Sequence, residues 1–455
     1  MEHGIRNPFT DSAIQSRKSS LRETPATCSI TSLNQPEDHY NEKKPRHRFR
    51  SYRLVGKYEQ PWLEDPRMRN TRQNSWIVYG GIVVGVLLSA YICFTKIQAV
   101  TNHEYCLILD DSFQTLDPNI WTHEVQIDGY GTGSFDWTTT DVKNAFTDAG
   151  GLHIVPTLTN ETTSIDNNEI YDGYTLNLTK AGGDGSCTST SISSCSIRSN
   201  ATIGNLVPPV RSARLTTAGK KTIKYGKVEV TAKFPKGDWL WPAIWMYPQN
   251  SVYGEWPRSG EIDIAEGRGN SYTYALDGIP AGRNVMTSTL HWGPSSLADA
   301  YWRTTNGKAL RRTDYSEEYH TFGMEWSEDY IYTYLDSRLV QVLFMSFKTN
   351  ENLWERGNFS TQVENGTFLE NPWQNSTAPN APFDMEFYLI LNVAVGSRNG
   401  WFKDGVDSKP WIDGATNAAW DFWSAADSWL PTWGEGTERG MTVKNVKMWQ
   451  QGKCA

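Results

Sequence analysis

Metal and redox chemistry have little to work with in this chain. Its 455 residues include 8 His and 6 Cys, and none of them share a spacing that reads as metal ligation. An excess of positive charge is missing too. The formal net charge is −8, from 51 acidic and 43 basic residues, which argues against a general nucleic-acid binder. No internal repeat is evident and no long amphipathic helix stands out. At this length the chain has room for two or three domains, although a large all-β unit can exceed two hundred residues by itself. What is abundant is aromatic: 20 Trp and 21 Tyr, with most of the Trp beyond residue 230. Aromatic faces stack on sugar rings and are also ordinary core material, so composition leaves both readings open.

The charge is unevenly spread. Residues 1–75 are rich in Ser, Asn, Pro, Glu, Lys and Arg without a sustained apolar period, which reads as a disordered tail. Ten Lys or Arg lie between Lys43 and Arg72. Residues 76–94 are then free of charge. Nineteen helical residues span about 28 Å, the thickness of a bilayer's hydrocarbon core. The segment starts too far from the N-terminus for a cleaved signal peptide. Its basic N-terminal flank, against Lys96 alone afterwards, places the N-terminus in the cytosol as a type II single-pass protein. The same flank suits anionic lipid on the cytosolic leaflet. Six Asn-X-Ser/Thr sequons, at Asn160, Asn177, Asn200, Asn358, Asn365 and Asn375, all follow the segment, consistent with a lumenal or extracellular domain. Cys28 then falls in the cytosol and Cys93 in the membrane. Cys106, Cys187, Cys195 and Cys454 remain, with three pairings open. Cys187 with Cys195, closing a short Ser/Thr loop, and Cys106 with Cys454, tying the domain ends, is the preferred one.

After a linker at 95–105, residues 106–455 read as one β-domain. Lys227–Lys233 alternates, Ile331–Leu335 does so in part, and Met385–Val395 suits a central strand. Met441–Gln450 suits a closing one. An antiparallel sandwich or jelly roll is the natural class.

The chemistry concentrates in Gly260-Glu261-Ile262-Asp263-Ile264-Ala265-Glu266. In a strand Glu261 and Asp263 share one face and the isoleucines the other. Glu266 falls out of phase, toward a core where an unpaired carboxylate is costly. One extra residue, a bulge near Ala265, returns it to the carboxylate face. Two glutamates on one face suit retaining glycoside hydrolysis, whose carboxyls sit about 5–5.5 Å apart. An acidic edge strand is the plain alternative. Nearby, Trp241 and Trp245 are stacking platforms or core residues, and Trp256 lies just before the strand. His291, in Thr289-Leu290-His291-Trp292-Gly293, is a structural hydrogen-bonder or a group steering the acid/base proton.

The blocks KVEVTAKFPKGDWLWPAIWM, WPRSGEIDIAEGRGN, STLHWG, FGMEWSEDYIYTYLD and LNVAVG followed by further Trp residues, in that order over Asp110 to Trp449, resemble glycoside hydrolase family 16. The likeness is to the laminarinase-type endo-β-1,3(4)-glucanases and their β-glucan-binding relatives. The resemblance implies a β-jelly-roll sandwich with a glycan cleft. It implies Glu261 as nucleophile, Glu266 as acid/base and Asp263 as the residue orienting that pair. It also implies Trp241, Trp245, Trp256, His291 and Trp292 as cleft residues, with Arg214 as a sugar contact. Arg258 reads as a brace, and Lys233 and Arg268 receive no role. No cofactor is expected, a convex-face calcium seen in some relatives being left open. Glucan-binding relatives typically lose one or more of the three carboxylates, and all three stand here, which favours an enzyme. The expected partner is β-glucan, acted on by hydrolysis or transglycosylation, with a non-hydrolytic receptor as the rival. Secreted laminarinases carry a signal peptide, whereas this architecture is similar to type II fungal homologues associated with cell-wall β-glucan assembly.

Overall fold

A computed structural model of the chain describes residues 55–57, 59–99, 103–349 and 351–454. The tail up to residue 54, with Cys28, lies outside them. The chain divides into two units, Met1–Ile97 and Gln98–Ala455.

In the first unit Pro61 and Pro66 each open a short 3-10 turn, as a residue without an amide N–H can at a helix start. An α-helix then runs from Arg69 to Ala99. It starts inside the expected tail and ends inside the expected linker. No proline interrupts those 31 residues, so the backbone stays helical beyond the apolar run at both ends. Pro66–Ile97 is long and apolar enough to cross a membrane.

The second unit is a β-sandwich of two eight-stranded, predominantly antiparallel sheets. In the first, strands Gln341–Ser346, Tyr330–Leu335, His320–Trp326, Gly226–Lys233 and Met441–Gln451 lie side by side. In the second the order is Thr305–Ala309, Val285–His291, Glu261–Gly267, Leu240–Pro248, Phe387–Val395 and Arg214–Thr216. Alternation explains the layers. Gly226–Lys233 buries Val228, Val230 and Ala232 and leaves Lys227, Glu229, Thr231 and Lys233 half-buried on the other face. Across the core they meet an apolar set that includes Ile244, Met246, Ile262, Met286, Leu389 and Leu391. Phe387–Val395 reads as a continuous apolar run because it is central, paired in full register with Leu240–Pro248 from Val395 opposite Leu240 to Phe387 opposite Pro248.

The first strand, Tyr105–Asp111, pairs with the last, and Cys106 is bonded to Cys454 beside that pairing. Cys187 is bonded to Cys195. Cys93 is the free cysteine among the described residues.

Candidate active site

The three carboxylates lie on the strand Glu261–Gly267, between Leu240–Pro248 on one side and Val285–His291 on the other. Gly260 opens this strand at a left-handed φ of 82°, a conformation glycine adopts without strain. Pairing is regular through Asp263 and then breaks. Trp245 sits opposite Asp263 and Ile244 opposite Ala265, so Ile264 is the extra residue. The other neighbour skips Ile264 and Ala265 together, from Asp263–Thr289 to Glu266–Thr287. Both skipped side chains are buried in the core. Glu266 resumes on the face of Glu261 and Asp263, where the Trp241 indole Nε1 donates to its Oε1 at 2.9 Å. The unpaired stretch is stitched to the core: the Ser288 hydroxyl donates to the Ile264 carbonyl at 2.6 Å, and Thr333, from the opposite sheet, donates to Ser288 at 2.8 Å.

His291 stands opposite Glu261. Its Nδ1 lies 2.5 Å from Asp299 and its Nε2 3.3 Å from Asp263. The ring is flanked by Trp256 at 5.5 Å and by a stacked Tyr301 at 5.4 Å between centroids. Trp241, Trp245 and Tyr247 alternate with core residues along their strand and are half-buried on the carboxylate face. Asn392 accepts the Trp245 Nε1 proton at 2.7 Å.

One residue expected in the cleft is placed elsewhere. Trp292 is 1% exposed, donates to Thr304 and packs near Phe359. It follows His291 directly, so strand alternation turns it to the core. Arg214 is already engaged: its guanidinium lies 3.9 Å from the Tyr130 ring centroid and 4.7 Å from that of Trp245, and its Nε donates to Glu124 at 2.5 Å. It lies on the carboxylate face, opposite Asn392, and supports Trp245. Arg258 donates to the Pro294 carbonyl at 2.7 Å and braces the approach to the carboxylate strand, as expected. Four contributors were missed from the sequence. Asp299 caps one short 3-10 turn after the histidine and Tyr301 opens the next. Arg268 and Trp401 form a stack behind Trp241. All four sit outside the strands, where periodicity carries no information.

Electrostatically the cluster is strained by burial. Asp263 and Glu266 are buried and Glu261 half-buried. Burial pushes Glu266 up to about 7; the His291 cation and the Trp241 N–H act against it, and Glu261 adds to it. Burial raises Glu261 as well, reinforced by Asp263, and it raises Asp263, reinforced by Glu266. For His291 burial alone works downward, but its contacts to Asp263 and Asp299 and the charge of Glu261 overcome this and hold it well above its ordinary value. The site therefore sets an imidazolium among buried carboxyls whose ionisation is shifted up toward neutral pH. Ligand atoms of Glu261, Asp263 and His291 lie within 4.8 Å of one another, a spacing three donors to one cation can have. The imidazolium already supplies the positive charge there.

Two glutamates on one face of a bulged strand are the equipment of a glycosidase-type site. Residues 155–378 match Glycosyl hydrolases family 16, and the chain belongs to that family. It is 38% identical over 351 residues to a "Beta-1,3-glucan-binding protein" of Penaeus monodon, covering 76% of this chain and 90% of that one. It is 37% identical over 189 residues to a "Glucan endo-1,3-beta-glucosidase" of Cryptopygus antarcticus, covering 41% of this chain and 56% of that one. Among solved structures it is similar to the endo-beta-1,3-glucanase from Pyrococcus furiosus, with a TM-score of 0.47 and 21% identity, covering 78% of this chain and 98% of that one.

Proposed function

We propose that the chain is a membrane-anchored retaining endo-glycosidase acting on β-1,3- or mixed β-1,3/1,4-glucan. The observation that carries this reading is the bulge at Ile264, which gathers Glu261, Asp263 and Glu266 on one face beside the His291 cation. Glu261 attacks the anomeric carbon as the bond to the leaving sugar oxygen breaks, and Glu266 protonates that oxygen. The resulting glycosyl ester on Glu261 is opened by water, which returns a proton to Glu266. Glu261 must be ionised to attack. Burial and the neighbouring Asp263 both oppose that ionisation, and the His291 cation favours it, while Asp263, between Glu261 and His291, orients the pair. Trp241, Trp245 and Trp256 offer ring faces for sugar stacking.

The names of the relatives from Penaeus monodon and Cryptopygus antarcticus support glucan as the ligand and leave two outcomes for it, binding and cleavage. Glucan binding without turnover is the second reading, and the first relative's name favours it. Resolution of the ester by a sugar hydroxyl would make the protein a transglycosylase, suited to remodelling a cell wall. The Pro66–Ile97 helix and the sequons support a type II orientation with the β-domain lumenal or extracellular. The reading does not require a calcium on the sandwich's outer face.

The test is incubation of the full chain, in detergent, with β-1,3-gluco-oligosaccharides, followed by mass spectrometry and anomer analysis. Shorter β-configured products, lost in Glu261→Gln, are the expected result. Products longer than the substrate would identify a transglycosylase. Intact oligosaccharides with binding retained would make the protein a glucan receptor.

A further inference from the structure

Arg268 lies just beyond the carboxylate strand and is buried, 8% exposed. It forms no ion pair among the described residues, an unusual state for a buried cation. Its contacts are with one residue above all. The guanidinium carbon stands 3.7 Å from the ring centroid of Trp401, and both Nε and one terminal nitrogen donate to the Trp401 carbonyl, at 3.1 and 2.8 Å. Trp401 in turn stacks on Trp241, with centroids 4.8 Å apart and planes 12° from parallel. Trp241 donates to Glu266. The Trp401 Nε1 is buried without a partner, so its own N–H does not fix this indole. The stack does.

We infer that Arg268 is a positioning residue for the proton donor, holding the Glu266 carboxyl through Trp401 and Trp241. The loop carrying Trp401 is anchored separately. Lys409, fully buried, donates to the Phe402 carbonyl at 2.8 Å and pairs with Asp404 and Asp413. That loop therefore has an anchor besides Arg268. A guanidinium suits this place because it is planar, stacks on aromatic faces and presents a rigid fork of donors to one carbonyl. It also leaves a positive charge near Glu266, favouring the anion that forms once the proton has left.

This inference rests on the glycosidase reading, and the experiment separates the two. Arg268→Gln, Arg268→Lys and Trp401→Phe are compared with wild type and Glu266→Gln in the full chain. One substrate is a β-1,3-gluco-oligosaccharide, whose sugar leaving group needs a proton; the other is an aryl β-glucoside of it, whose phenolate leaves without one. Arg268→Gln is expected to lower kcat on the oligosaccharide by about 10- to 100-fold, part of the ~10²–10⁴ that general acid–base catalysis contributes. KM should change little, and the rate of aryl release should stay near wild type. The alkaline limb of the pH–rate profile should move upward with the cation gone. Arg268→Lys should recover the position of that limb but only part of kcat. Circular dichroism gives a readout without turnover: the Trp241–Trp401 exciton couplet, identified by its loss in Trp401→Phe, should weaken in Arg268→Gln with thermal unfolding still cooperative. An intact couplet, or equal losses on both substrates, overturns the positioning role. Wild-type activity in Glu266→Gln would instead overturn the assignment of the site itself.

Discussion

A carboxylic acid 7% exposed, with one indole N–H as its hydrogen-bond partner, resists ionisation. Glu266 is therefore raised from 4.5 to about 7, chiefly by burial. The folded state then binds more protons than the unfolded chain between these two values. Stability contributed by the protonated form is full below the unfolded value and is lost as pH rises through about 7, up to about 3 kcal/mol. Glu266→Gln removes the ionisation and leaves an amide oxygen able to accept from Trp241. Its Tm should exceed that of wild type at pH 8 by a few degrees, on the order expected for such a change, with the gap closing by pH 4. Calorimetry over that range checks this; a gap that is constant or widens toward acid would mean Glu266 ionises freely. Hydrolysis in the same variant should fall by about 10²–10⁴ if Glu266 is the acid. Residue identity made part of this legible. Three carboxylates in seven residues, with the third out of phase, demanded a bulge. Trp292 was open to the same alternation rule, since it follows His291. Arg268 was not, because nothing in a sequence says that a cation just past a strand will lie over a tryptophan 133 residues away.

At the scale of the strand, the bulge has a cost that is met from behind. Ile264 is paired with neither neighbour, and its carbonyl points into the core, where Ser288 satisfies it. Ser288 is itself fully buried and takes a proton from Thr333 on the facing sheet. A chain of two hydroxyls across an apolar interior thus fixes which residue is looped out. Ser288→Ala would leave the buried Ile264 carbonyl without its donor and the Thr333 hydroxyl without its acceptor, a loss of about 1–3 kcal/mol for a group so stranded. Denaturant unfolding should show that destabilisation, and kcat should fall with it because the register of Glu266 is no longer pinned. Unchanged stability and unchanged kcat together would show that the bulge is held by strand pairing alone. The hydroxyl pair was not legible in sequence: Ser288 and Thr333 are 45 residues apart and each is unexceptional in a strand. The alternating strand Gly226–Lys233 and the apolar run Phe387–Val395 were legible, because period two and continuous burial leave direct marks on composition.

For the whole molecule, the proposed access to glucan depends on the proposed orientation across a membrane. The Arg69–Ala99 helix is preceded by basic residues and followed by a domain whose first and last strands pair and whose ends are joined through Cys106 and Cys454. That disulfide closes a loop of 348 residues. Such a bond persists in an oxidising compartment and is rarely kept in the cytosol. The sequons supply an independent reporter. Asn358, Asn365 and Asn375 are exposed, whereas Asn160, Asn177 and Asn200 are half-buried. Enzymatic removal of N-glycans from the full chain, expressed in eukaryotic membranes, should therefore increase its gel mobility. Replacing Asn358, Asn365 and Asn375 together by Gln should remove most of that change, because modification needs an accessible side chain and these three have it. A chain whose mobility is unaltered by deglycosylation, and whose Cys106 and Cys454 react with thiol reagents without prior reduction, would place the β-domain on the cytosolic side. That outcome would remove extracellular glucan from reach while leaving the geometry at Glu261 and Glu266 intact, so it would overturn the proposed setting of the reaction and not its chemistry.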